Sequence, residues 1–170
     1  LLSTQRLDPA RTNHNAGDLH FGADGFLYVS IGDNARERLA PKRNTLFGKI
    51  VRITTEGRSA AGTPFVGGRG VCCAETGRPT TKKKRRACAE VFALGLRNPF
   101  RFAFAQDGAT FFINDVGAGR WEEIDRGAAG ADYGWPQREG PCPQGEAGPC
   151  APGPARYAEP VFAYPHSAGC

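Results

Sequence analysis

Phe21-x-x-Asp24-Gly25 and Phe104-x-x-Asp107-Gly108 stand in the same frame 83 residues apart, each between two short apolar segments. An Asp-Gly pair so flanked predicts a tight hairpin, because glycine takes positive φ without steric cost. In the first, Asp18-Leu19-His20-Phe21 leads into the turn and 26–31 leads out, with Leu27, Val29 and Ile31 on one face. In the second, Phe100, Phe102 and Phe104 alternate with smaller or polar residues, as a half-buried strand requires, and 110–113 returns. Two further strands are predicted. Residues 48–53 set Ile50 against basic neighbours, and 90–94 are nearly continuous in apolar character, which suits a strand buried on both faces.

A hairpin that recurs in frame points to radially repeated sheets. The offset is about twice the roughly 40–45 residues of a propeller blade. It also fits one blade lengthened by the cysteine-bearing insertion at about 67–88. With 23 glycines and 13 prolines in 170 residues, the chain favours short strands and turns over long helices. The predicted fold class is all-β: residues 1–170 form a partial β-propeller domain, with loop insertions at about 67–88 and 137–160. A propeller closes with about 4–8 four-stranded blades, so this length supplies part of a ring. Leu1 in place of an initiator methionine, and the loop-like run up to Cys170, read as cut ends.

Six cysteines, mostly in turn-rich segments and two of them adjacent (Cys72-Cys73), suggest a disulfide framework and an oxidising, extracytoplasmic location. The C-x₂₋₄-C knuckles that zinc would want do not occur. The expected closures are Cys142 with Cys150, and Cys88 with one of the vicinal pair, each stabilising its loop by roughly 2.5–3 kcal/mol in the chain-entropy model. Cys170 and the remaining vicinal cysteine would pair with each other or with chain outside this sequence. No apolar stretch approaches the ~20 residues of a membrane-spanning helix. The net charge is +5, and Lys82-Lys83-Lys84-Arg85-Arg86 is a compact basic run. It lacks the interleaved aromatics of a base-stacking surface, so it reads as a solvated loop and no nucleic-acid partner is expected.

His14, in a polar approach to the first hairpin, has no meaning by spacing alone. Its surroundings supply one. Residues 13–22 (Asn-His-Asn-Ala-Gly-Asp-Leu-His-Phe-Gly), followed by 24–33 (Asp-Gly-Phe-Leu-Tyr-Val-Ser-Ile-Gly-Asp), resemble the catalytic-histidine segment of glucose/sorbosone-type dehydrogenases. These are soluble, six-bladed propeller enzymes that use pyrroloquinoline quinone (PQQ). A second block is similar in the same order: Leu94 through Phe104 with Arg97-Asn98-Pro99 at its centre, Asn114-Asp115-Val116-Gly117, Trp121-Glu122-Glu123-Ile124-Asp125 and Tyr133-Gly134-Trp135-Pro136.

The resemblance implies a set of roles. His14 would be the general base that removes a proton from a sugar hydroxyl while the quinone accepts the hydride, work suited to a neutral imidazole. Arg97 and Asn98 would contact PQQ, the arginine steadying negative charge on it; Asn13 and Glu122 would lie close to the cofactor. Carbonyls of Gly117 and Ala118 would ligate the calcium that polarises PQQ, and Glu123 would serve a second, structural calcium. The partners implied are a sugar (an aldose or related alcohol) and an external electron acceptor, in a secreted or periplasmic protein. Tyr133-Gly134-Trp135-Pro136 reads more simply as a packed turn than as a sugar platform. The competing functional class is a non-catalytic extracellular propeller that binds a protein or glycan. Fold alone does not separate the two; a base paired with a cofactor-binding arginine favours the enzyme.

Overall fold

The computed structural model describes residues 12–65 and 87–168. Four strands, β1 (Ala16–Phe21), β2 (Leu27–Ile31), β3 (Lys49–Ile53) and β4 (Val91–Leu94), form one antiparallel sheet in chain order. A second four-stranded sheet holds β5 (Pro99–Phe104), β6 (Phe111–Asp115), β7 (Trp121–Arg126) and, at its edge, β10 (Phe162–Pro165). Between β7 and β10 the chain makes a small hairpin of β8 (Arg138–Glu139) and β9 (Cys142–Pro143). There is no α-helix among the described residues, and no helix long and apolar enough to cross a membrane.

The two Asp-Gly turns join β1 to β2 and β5 to β6, the same place in each sheet, with Gly25 at φ 75° and Gly108 at φ 64°. The 83-residue offset is therefore one blade lengthened by loops. The turns touch: the Ala23 N–H donates to the Gly108 carbonyl at 2.9 Å.

Between the sheets lies an aromatic core. Tyr28, Phe92, Phe102 and Phe111 meet at ring separations of 5.2 Å (Tyr28–Phe92), 5.5 Å (Tyr28–Phe111) and 5.7 Å (Phe102–Phe111). All three contacts are steeply inclined, the arrangement that aromatic quadrupoles favour. On the opposite face of the first sheet a second core gathers Ile31, Leu46, Phe47, Val51, Val91 and Leu94. That sheet is covered on both sides, and all four residues of β4 are buried as its composition predicted. In β2 the expected alternation separates one core from another: Tyr28 enters the first and Ile31 the second.

Three local expectations are corrected. Phe100 is 53% exposed, because an irregularity between Pro99 and Arg101 breaks the alternation that would have buried it. Lys49, read as a basic flank, is fully buried; its ammonium donates to the carbonyls of Leu39 (3.2 Å), Ala40 (2.6 Å) and Phe47. Burial draws its pKa down to about 7, against the pull of Asp132 and Asp33. Of the run 164–169, read as loop-like, Tyr164 and Pro165 belong to a strand, β10, that pairs with β7.

Cys142 and Cys150 are bonded, closing part of the 137–160 segment. Within it Arg138 and Glu139 are nevertheless buried. Of the insertion at 67–88 only Ala87 and Cys88 belong to the described residues; the Lys82–Arg86 run, Cys72, Cys73 and Cys170 lie outside them.

Candidate active site

The chain entering β1 carries His14, and the chain leaving β2 carries Asp33. Gly32 makes their approach possible: a Cβ there would stand 2.4 Å from the His14 carbonyl oxygen. His14 Nδ1 lies 2.8 Å from Asp33 Oδ1, with both side chains largely buried. Asp33 is itself held. Its Oδ1 accepts the Ala35 N–H at 2.8 Å and its Oδ2 the indole N–H of Trp135 at 2.9 Å. A carboxylate so fixed makes Nδ1 the protonated nitrogen and leaves Nε2 as the one able to take up a proton. His14, Asn34 and Ala35 have φ of 52°, 54° and 51° and are the non-glycine residues in the left-handed region among those described. All three sit at this one place, where the Asn34 N–H donates to the His14 carbonyl. Strained backbone of this kind collects at functional sites.

The second sheet supplies the facing chemistry. Arg97 precedes β5; its backbone N–H donates to Asp115 Oδ2 (2.8 Å), and the next amide, that of Asn98, to Asp115 Oδ1 (2.6 Å). Its guanidinium donates to the Val116 carbonyl at 3.0 Å and lies 5.5 Å from the Trp135 ring. The two blades are joined here, since the Asp33 N–H donates to the Arg97 carbonyl at 2.8 Å.

His14, Asp33, Arg97, Trp135 and Ala118 line one cavity of about 460 Å³, with Arg36, Arg38 and Gln144 also in its wall. The volume lies in the range of small-molecule sites. Three guanidiniums against two carboxylates, Asp33 and Glu37, suit a ligand that carries several negative charges. That donor set fits the carboxylate-bearing PQQ.

Of the other predicted residues, Asn98 is half-buried and Asn13 exposed; neither is among the residues that line the cavity. The turn from Val116 to Trp121 is fastened by two carboxylates. Glu122 accepts the Gly117 N–H (3.2 Å) and meets His166 Nε2 at 2.7 Å. Glu139 Oε1 accepts the N–H groups of Ala118, Gly119, Arg120 and Trp121 at 2.7–3.2 Å. Burial would raise the pKa of Glu139, but these four donors hold it below the usual value. Backbone carbonyls such as those of Gly117 and Ala118 in this turn are oxygen donors of the kind calcium takes. Glu123 lies elsewhere, grouped with Asp115 and Asp125 inside the second sheet. Burial lifts Asp115 to about 7 and, with the neighbouring carboxylates, pushes Glu123 and Asp125 well above their ordinary values.

Sequence reasoning gave no role to Asp33 or to Arg36, Arg38 and Gln144, and read Trp135 only as packing. The matched run that contains His14 ends on Asp33, which was the available signal.

A family model described as Glucose / Sorbosone dehydrogenase matches residues 2–170. The chain belongs to the glucose/sorbosone dehydrogenase family. The HIPL1 protein of Arabidopsis thaliana is 35% identical over 136 residues, covering 76% of this chain and 19% of the relative. Aldose sugar dehydrogenase YliI of Escherichia coli (strain K12) is 30% identical over 124 residues, covering 73% and 29%. The structure of the PQQ-bound form of aldose sugar dehydrogenase from Streptomyces coelicolor aligns with a TM-score of 0.66 at 27% identity, over 90% of this chain and 36% of that one. This member of the family thus spans less than a third of the length of these two curated relatives, and its two sheets are blades of a β-propeller.

Proposed function

We propose that the whole protein oxidises a hydroxyl of an aldose or related alcohol, outside the cytoplasm, and passes the electrons to an external acceptor. The observation that carries this reading is the His14–Asp33–Trp135 chain, set in the cavity that Arg97 also lines. His14 Nε2 takes the hydroxyl proton. Asp33 keeps the imidazole in the required tautomer and offsets the positive charge it gains. The fixed charge of Arg97 steadies negative charge that develops in the cavity, and Arg36 and Arg38 hold carboxylates. The carbonyls of Gly117 and Ala118 would hold a calcium ion and Arg97 would contact PQQ, which when bound would supply the acceptor for the hydride. The Cys142–Cys150 bond supports an oxidising compartment.

Dye reduction by the full-length protein, reconstituted with PQQ and calcium and offered a panel of aldoses, tests the reading. His14→Ala is expected to lose turnover by about 10²–10⁴-fold while still binding PQQ. Unchanged turnover would remove His14 from the mechanism. PQQ bound with no reduction by any sugar would favour the non-catalytic propeller.

A further inference from the structure

We propose that Glu139 is a positioning residue for the cofactor: its carboxylate, set in place by the disulfide-closed β8–β9 hairpin, orients the backbone of the turn 117–120 beside the cavity. The inference rests on the reading that this cavity takes PQQ with calcium at that turn, and it gives Glu139 no part in the chemistry.

Glu139 Oε1 accepts the N–H groups of four successive residues, Ala118 to Trp121, across 18–21 positions of chain. Amides that converge in this way form an anion-binding nest, and without an acceptor they would be left unpaired. A peptide unit is planar, and in the trans form its C=O points opposite to its N–H. The peptides of this turn are trans. Drawing the N–H groups of Ala118 and Gly119 toward Glu139 therefore turns the carbonyls of Gly117 and Ala118 away from it, and these are the two carbonyls to which calcium is assigned. Glu122 acts in the same way on the preceding unit: it accepts the Gly117 N–H, and the Val116 carbonyl opposite accepts the Arg97 guanidinium.

The carboxylate is itself fixed. Glu139 is only 4% exposed and pairs in register with Cys142, which is bonded to Cys150. Inside the closed loop the Glu146 carbonyl accepts the Trp121 indole N–H at 2.9 Å, so hairpin and turn are joined a second time. Gly117 leaves the carboxylate room, since a Cβ there would stand 3.0 Å from Oε1. The same hairpin carries Gln144 into the cavity wall.

The test needs neither sugar nor dye. The full-length protein is stripped with EDTA, and the calcium concentration that half-saturates PQQ binding is read from the absorbance of PQQ. Glu139→Ala is expected to raise that concentration by about 10–100-fold, the typical effect of losing a group that orients a metal ligand. Glu139→Gln keeps an acceptor oxygen without the charge and is expected to raise it less. Glu139 borders a second cavity, of about 370 Å³, with Arg120, Gln144 and Gly145, through which a small anion can reach the vacated nest. Added acetate is therefore expected to restore most of the lost affinity in Glu139→Ala, whereas acetamide, of the same shape and uncharged, is not. If Glu139→Ala does not fold, the Glu139→Gln shift decides alone. Half-saturation unchanged in the folded variants would overturn the proposal, and so would a loss that acetate and acetamide relieve alike or not at all. No uptake of PQQ by the unaltered protein at any calcium concentration would instead sink the cofactor reading, and this proposal with it.

Discussion

Three fixed groups converge on the Asp33 carboxylate: the His14 ring, the Ala35 amide and the Trp135 indole. Such a carboxylate orients an imidazole without entering the chemistry itself. Asp33→Asn keeps the shape but lets the amide donate toward Nδ1, which favours the wrong tautomer. The full-length protein carrying it is expected to lose about 10²–10⁴-fold in kcat with PQQ affinity changed less than about threefold, measured by steady-state dye reduction and PQQ titration. At this scale the sequence was half legible. His14 and Arg97 stand in runs whose order carries meaning. Their partners depend on contacts 19 and 102 residues away, which no local pattern encodes.

Among the elements, the hairpins were read correctly because Asp-Gly turns and alternation are local signals. β7 was not recognised as a strand because Trp121-Glu122-Glu123-Ile124-Asp125 carries three acids, and the fold turns two of them inward. β3 misled for a related reason: Lys49 looks solvated in a basic run yet is the most deeply placed cation described. Lys49→Met would leave three buried carbonyls without their donor, and a loss of about 2–4 kcal/mol is expected from denaturant unfolding at pH 7. The pH dependence has a definite sign. The folded pKa, near 7, lies below the ordinary 10.5, so between these values the unfolded chain binds more protons. The contribution of Lys49 to stability therefore rises with pH across that window and is flat outside it. The unaltered protein should show this rise between about pH 7 and 10, and Lys49→Met should lack it.

For the whole molecule, the first sheet is covered on both faces except at its edge strand β1, which carries Leu19 and Phe21, and the second sheet is open as well. Leu19, Phe21, Phe100, Phe112, Val161 and Phe162 are all exposed large apolar residues. An apolar surface of that size on an isolated piece favours association. Expressed alone, residues 1–170 are expected to self-associate and bind a hydrophobic dye, whereas the full-length protein should sediment as a discrete species and bind little. Dye binding by both, or by neither, would count against further blades covering these residues. The propeller itself was legible from the in-frame hairpins, but the blade count behind the 83-residue spacing was not, because loop length does not reveal which strands pair.

The hydrogen bond from Trp135 to Asp33 crosses 102 residues of chain and joins the two blades. It gives the site a history as well as a geometry. On a ribosome the histidine and its carboxylate emerge well before the indole that steadies them, so the unfinished chain carries the parts of a base without its final alignment. Contacts this distant in sequence form late. Reactivity would then arrive with the docking of the second blade, and catalytic competence would serve as a readout of completed assembly.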